Sequence, residues 1–240
     1  MIDIHSHILP AMDDGADDMS DALAILRAAE EAGVAAIAAT PHIYNPFQEG
    51  VGRGIEAAVI ALRSRAAEEG IGVEVFPGGE LPMEPGLAEV AARNRQITLG
   101  GAGKYVLVEF PMFQMPRFAE AIVSEMRGAG LTPVIAHPTR CREVTSNPGL
   151  VRGLVERGAL VQINTGSLLG RFGGDSQKAA FFLLEEGLAH VVASDSHSVE
   201  AMGMLMEGVE VIRKVLGAEA ARRMAETLPA AIIGFDGRKR

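Results

Sequence analysis

The feature that most constrains this chain is a repeated alternation. Short β-branched runs are each followed by a longer stretch of helical periodicity that ends in glycine. Seven runs stand out: IDIH (2–5), AIAAT (36–40), VEVFP (73–77), YVLVEF (105–110), TPVIAH (132–137), LVQIN (160–164) and HVVAS (190–194). Between them, SDALAILRAAEEAG (20–33) has Ser20 as a candidate N-cap and Gly33 as a stop signal. IEAAVIALRSRAAEEG, PRFAEAIVSEMRGAG, NPGLVRGLVERG, SQKAAFFLLEEG and VEAMGMLMEGVEVIRKVLG repeat the pattern. Connections of this length force parallel pairing with right-handed crossovers. Seven units over 240 residues predict an α/β chain closed, or nearly closed, into a barrel, with an open doubly wound sheet as the rival. No composition shift or Gly/Ser linker marks a boundary, so one domain, 1–240, is expected.

Composition narrows the function. Aromatic residues make up 5% and Trp is absent, so Ala, Val, Ile and Leu must fill the core. The net charge of −9 is the opposite of what a duplex-coating protein needs, and no nucleic-acid partner is expected. A single cysteine allows no internal disulfide. MIDIHSHILP lacks the basic stretch that opens a signal peptide, and no apolar run reaches the roughly 18 residues of a membrane span. A cytoplasmic protein without membrane insertion is the expectation.

Five of the six histidines, His5, His7, His42, His137 and His197, fall at or just past the C-terminal end of a predicted strand. Carboxylates take matching places: Asp13 or Asp14 in the first loop, then Glu80, Glu109 and Asp195. Positions 7, 42, 80, 109, 137 and 195 are separated by 35, 38, 29, 28 and 58 residues, and the last gap skips only the strand ending at Asn164. One polar group per βα unit therefore lies on the rim where parallel barrels carry active sites. A lone histidine near a strand end is ordinarily structural. Five of them, with four carboxylates, point to cations, because buried imidazoles and carboxylates are costly without one. His190 opens its strand, belongs to the opposite rim, and reads as structural. Nine donors exceed what one transition ion takes, so two or three ions sharing a bridging carboxylate fit, and mixed His/Asp/Glu donors favour Mn, Fe or Zn. Such a site, with Arg140 three residues after His137, remains positively charged and suits a phosphate dianion and a metal-activated water.

With these residues in view, the chain resembles the polymerase and histidinol phosphatase (PHP) superfamily. Within it, the chain is similar to bacterial manganese-dependent protein-tyrosine phosphatases of capsule and exopolysaccharide operons. MIDIHSHILP-x-x-DDG, ATPH, GGE, VEF, PVIAHP-x-R, QINTGSLLGRFG and ASDSH occur in the family's order from residue 1 to about 200. The resemblance implies a distorted (β/α)7 barrel holding three divalent ions, most commonly Mn. It assigns His5, His7, Glu80 and Asp195 to one ion. Glu80 would bridge to a second held with Glu109 and His137, while Asp14, His42 and His197 hold the third. It gives Arg140 the phosphoryl oxygens, and a phosphotyrosine protein, such as a bacterial tyrosine kinase, as substrate. The chain departs from the family at two places. Thr139 precedes Arg140 where a carboxylate is frequent, and SVEAMGML lacks the basic residue that some members carry after D-x-H.

Other signals fail. Cys141 adjoins Arg140, but a thiol phosphatase needs C-x5-R and position 147 is Asn147. GGAGK (100–104) is followed by Tyr105 and a strand, which a phosphate-binding P-loop is not. DDGADD lacks EF-hand spacing, and Met202, Met204 and Met206 read as packing residues. Two rival functions stand beside the phosphotyrosine reading: the same hydrolysis of a small ester such as histidinol phosphate, or of a nucleotide end, and a non-catalytic regulatory metal-binding barrel. A metallo-amidohydrolase would want a carboxylated lysine at a strand end, and Lys104, Lys178, Lys214 and Lys239 are not placed there.

Overall fold

A computed structural model describes residues 1–237, so Lys239 lies outside the described residues. Eight strand segments, all paired in parallel, form its centre. They are β1 (Ile2–Ser6), β2 (Ala36–Ala39), β3 (Glu74–Pro77), β4 (Glu80–Pro82), β5 (Tyr105–Glu109), β6 (Thr132–Ile135), β7 (Leu160–Asn164) and β8 (Val191–Ala193). They run in the orders β1–β2–β3 and β4–β5–β6–β7–β8. Two seams join them into a ring. At one, Asp195 N–H donates to the His5 carbonyl (3.0 Å) and His7 N–H to the Ser196 carbonyl (2.8 Å). At the other, Glu80 N–H donates to the Pro41 carbonyl (3.0 Å) and Ile43 N–H to the Glu80 carbonyl (2.8 Å). β3 and β4 thus share one position beside β2, and the ring has the seven positions of the distorted barrel. The third strand lies where the sequence reading puts it, but past Gly78 and Gly79 the chain adds the short strand β4, which that reading does not include. A Cβ on Gly79 would lie 2.3 Å from Ile43 Cδ1, so a side chain there would displace Ile43.

Helices Met19–Glu31, Val51–Glu68, Ala119–Gly128, Gly174–Glu185 and Val199–Leu216 lie where helical periodicity is read from the sequence. Two expectations are corrected. Asp18, not Ser20, caps the first helix, accepting from Ser20 N–H (2.7 Å) and Asp21 N–H (3.1 Å). The stretch 147–158 is not one helix but a 3₁₀ turn, Pro148–Val151, leading into Arg152–Glu156; Pro148, Gly149 and Gly153 are poor helix residues.

The apolar residues form two clusters. The larger packs the outer strand faces, such as Ile37, Val108 and Val161, against the helices through Leu26, Ile55 and Leu62. Each such buried aliphatic side chain stabilises the fold by about 1.5–3 kcal/mol. The smaller lines the barrel interior with Ile4, Ala36, Ala38, Leu107, Val134, Ala136 and Ala193. Ile232 and Ile233 join this inner cluster from the helix Leu228–Ile233, which follows a π-helical turn at Arg223–Thr227 and seals the base. Alanines at 36, 38, 136 and 193 thin the inner wall, which leaves room above it for large polar side chains. His190 is at the base, where its Nδ1 accepts Val161 N–H (3.1 Å), and burial followed by Arg223 pushes its pKa down. That is the structural role read for it from the sequence. No helix among the described residues is long and apolar enough to cross a membrane.

Candidate metal centre

Strand parity alone does not aim the first two histidines. Ile2 and Ile4 belong to the inner cluster, so strict alternation would turn His5 away from it. The pairing register of β1 with β2 shifts between Asp3 and Ser6, an irregularity of the kind that re-aims side chains beside active sites. Past it, His5 and His7 both reach the barrel mouth, with Nε2 atoms 3.2 Å apart. Backbone strain helps at two further positions. His137 (φ 28°) follows β6 and Asp195 (φ 54°) follows β8, both in the left-handed region that non-glycine residues seldom adopt. The DDG glycine is required for a different reason: a Cβ on Gly15 would stand 1.9 Å from the His7 carbonyl oxygen.

All nine donors meet at this mouth. Glu80 is at the centre, with Oε2 3.1 Å from His5 Nε2, 3.3 Å from His7 Nε2 and 3.2 Å from His42 Nδ1, and Oε1 2.8 Å from His137 Nε2. Asp195 Oδ1 is 3.4 Å from both His5 and His7 Nε2. Glu109 Oε1 is 3.4 Å from His42 Nδ1, and Asp14 Oδ1 is 3.3 Å from His197 Nε2 and 3.6 Å from His42 Nε2. Four sets have donor atoms within 4.8 Å of one another: His7, Asp14, His42 and His197; His5, His7 and Glu80; His5, His137 and Asp195; His42, Glu80 and Glu109. Glu80 belongs to two sets, as a bridging carboxylate would. Glu109 keeps company with His42, whereas the family resemblance pairs it with His137.

The residues that orient these donors were mostly not singled out by sequence reasoning. His7 Nδ1–H donates to Asp13 Oδ2 (2.6 Å), which also accepts His42 N–H (2.9 Å), so the two candidate aspartates divide the work. Asp13 aims His7 and the His42 backbone, while the more exposed Asp14 turns its Oδ1 toward His42 and His197 as a candidate donor. His5 Nδ1–H donates to Gln162 Oε1 (3.2 Å), which also accepts His137 N–H (3.1 Å). Asn164 Nδ2–H donates to Asp195 Oδ2 (3.2 Å). β7, the strand that contributes no donor, therefore holds those of β1, β6 and β8. Its signal in the sequence is two amides at alternate, inward-facing positions of LVQIN.

The charges are coupled. Burial opposes protonation of His5, but Glu80 and Asp195 outweigh it and hold its pKa up at about 9. His7 is likewise raised despite its burial, by Asp13, Asp195 and Glu80. Burial would raise Glu80 and Asp195, yet His5 and His137 hold both well below the usual carboxylate range. Burial and His7 push His197 down. Two buried atoms, His42 Nδ1 and Glu80 Oε1, make no hydrogen bond even though each faces another site residue. With both Nδ1 atoms of His5 and His7 committed, the remaining ring nitrogens converge with carboxylate oxygens as ligands of shared cations do. The donor set fits divalent ions.

Arg140 borders this cluster. Its Nη1 is 3.4 Å from Asp195 Oδ2, and its guanidinium lies 4.6 Å from the centre of the Phe172 ring. Glu143, the surface partner that a purely structural arginine would have, instead accepts Met115 N–H (2.9 Å). Thr139 beside it is buried and hydrogen-bonded to Ser167 Oγ (2.8 Å), which in turn donates to Asn164 Oδ1 (2.6 Å). Cys141 is buried in the outer apolar cluster, away from any nucleophilic role.

Similarity to known proteins agrees with this geometry. The chain is 40% identical over 227 residues to tyrosine-protein phosphatase YwqE of Bacillus subtilis, covering 94% of this chain and 89% of that one. It is 31% identical over 239 residues to tyrosine-protein phosphatase CpsB of Streptococcus pneumoniae, covering 97% and 98%. A crystal structure from work on these two proteins, described there as unique metal-dependent tyrosine phosphatases, superposes with a TM-score of 0.90 at 38% identity, covering 98% of this chain and 94% of that one. Residues 1–234 match the family described as "Capsular polysaccharide synthesis, CpsB/CapC", and the chain belongs to that family.

Proposed function

We propose that this protein is a metal-dependent phosphomonoester hydrolase that removes phosphate from tyrosine in proteins. The observation that carries the reading is the convergence of five histidines and four carboxylates at one barrel mouth with an arginine beside them. The nine, His5, His7, Asp14, His42, Glu80, Glu109, His137, Asp195 and His197, would hold three divalent transition ions, with Mn favoured and Fe or Zn suited to the same donors. Bound ions supply Lewis acidity toward phosphoryl oxygens and a water acidic enough to attack at neutral pH.

The chain's own residues do the rest. Arg140 donates its paired N–H groups to two phosphoryl oxygens, and Asp195 and Phe172 hold the guanidinium in place. Charge growing on those oxygens in the transition state strengthens these bonds, which is how an aimed cation accelerates the step. Gln162 and Asp13 keep the rings of His5 and His7 turned so that Nε2 faces the centre. A tyrosine kinase of capsule assembly is the proposed phosphoprotein, resting on the family's link to capsular polysaccharide synthesis, and the cytoplasm is the proposed compartment. A metal-supplemented panel tests the reading. Phosphotyrosine peptides should be hydrolysed faster than phosphoserine peptides or histidinol phosphate, and chelation should abolish turnover until Mn or a similar ion is returned. Preference for histidinol phosphate would move the assignment to a small ester, and no turnover on any substrate would favour a regulatory barrel.

A further inference from the structure

The chain has only nine Phe and two Tyr, and no Trp. Among the described residues, five of these rings are exposed: Tyr44, Phe47, Phe113, Phe118 and Phe172. All five lie on loops that follow the C-terminal ends of strands, β2 for the first pair, β5 for the second and β7 for the last. Met112, 63% exposed, joins them after β5. The other large exposed apolar residues are aliphatic or Met side chains of the helices Val51–Glu68 and Val199–Leu216. A protein short of rings would be expected to bury them, so this placement on one rim is informative.

The rings are also tied to the metal centre. Tyr44, 74% exposed, stacks on His42 with centroids 5.5 Å apart and planes at 26°. Phe172 lies under the Arg140 guanidinium, and its ring occupies the space a side chain at Gly166 would need, 2.4 Å from the Cβ position. The Met112–Phe113 turn is pinned to the arginine loop by Arg142 N–H to the Met112 carbonyl (2.8 Å) and Glu143 N–H to the Phe113 carbonyl (3.2 Å). Tyr44 belongs to the β2 side of the mouth, and Phe172, with the turn, to the side where Arg140 waits.

We propose that Tyr44, Phe113 and Phe172 form an apolar collar that takes the phenyl ring of a phosphotyrosine side chain and the peptide flanking it, and so selects aryl over alkyl phosphates. This rests on the phosphatase reading above. The phosphate end of the occupant is set by Arg140 and the donor cluster. The phenyl ring of phosphotyrosine spans from that end to a ring-lined rim, whereas the short side chain of phosphoserine would bring the peptide backbone down among the rim side chains. Aromatic faces also attract the ring beyond simple area burial.

The test is kinetic, using the metal-loaded full-length protein and one peptide sequence bearing either phosphotyrosine or phosphoserine. For Tyr44→Ala and for Phe113→Ala, the ratio of kcat/KM between the two peptides should fall about tenfold relative to the parent protein. Ile60→Ala, the truncation of another exposed apolar side chain, on an outer helix, should leave the ratio unchanged. Equal ratios in the parent and both rim variants would overturn the collar while leaving the phosphatase reading intact. A parent protein inactive on phosphotyrosine would remove both. Sedimentation adds a further outcome: a parent dimer that Phe113→Ala dissociates, with the ratio unmoved, would mean that a second copy covers this face, and would also overturn the proposal.

Discussion

Arg140 shows how one residue separates substrate electrostatics from metal binding. Among the described residues its ion pair with the donor cluster is to Asp195, and as a cation it is not one of the proposed ligands. Arg140→Ala should lower kcat/KM for a phosphotyrosine peptide by on the order of 10²–10³, the scale of losing one aimed donor. Lysine should restore part of this, having charge without the fork. Metal content should be unchanged in both variants, so near-normal turnover in Arg140→Ala would remove the residue from the site. Gln162 and Asn164 predict the reverse signature. Neither carries charge, but each accepts from or donates to side chains of the cluster from full burial. Gln162→Ala or Asn164→Ala should weaken metal affinity by about 10–100-fold, the usual effect of removing such an orienting partner, with circular dichroism unaltered. Chelator competition measures this, and unchanged affinity in both variants would reduce β7 to a purely packing role.

At the scale of elements, the critical place is the seam between β1 and β8. Asp3 is fully buried there, accepting from Ser194 N–H (3.1 Å) and Ser194 Oγ–H, with His5 N–H at 3.3 Å. Burial pushes its carboxyl up to about 6, despite these hydrogen bonds and nearby His5. The folded pKa therefore lies above the unfolded one, so the native state binds the extra proton between about pH 4 and 6. The contribution of Asp3 to stability is greatest below that window and is lost as pH rises through it, by about 3 kcal/mol in all. Asp3→Asn mimics the protonated acid and should lack this loss. In chelator-treated protein, the urea-unfolding advantage of the variant should grow from near zero at pH 4 to a few kcal/mol at pH 7. A constant difference between the two proteins would show that Asp3 does not titrate in that range.

The whole molecule is a barrel sealed at one end and open at the other, and the two ends respond to different perturbations. At the sealed base, Gly100 has φ 72°, and a Cβ there would stand 2.2 Å from the Ile233 carbonyl oxygen. Gly100→Ala should lower Tm measurably through strain and displaced packing, yet leave metal stoichiometry intact. At the open mouth, chelation should lower Tm because ions bind the folded state alone. Loss of metal in Gly100→Ala would show that the two ends are coupled. The parallel βα order, the rim where the nine candidate donors gather and the structural place of His190 are all legible in the sequence. Period and spacing encode these, and both survive in one dimension. The tertiary structure alone shows that Asp13 holds His7 and the His42 backbone while Asp14 faces His42 and His197, that Glu109 sits with His42, that Glu80 stands on a short strand of its own after two glycines, and that the β7 amides hold donors of three other strands. The side-chain contacts among these depend on which groups a closed ring brings together, across as much as 157 residues of chain for Gln162 and His5, and local pattern carries no information about contacts at that range.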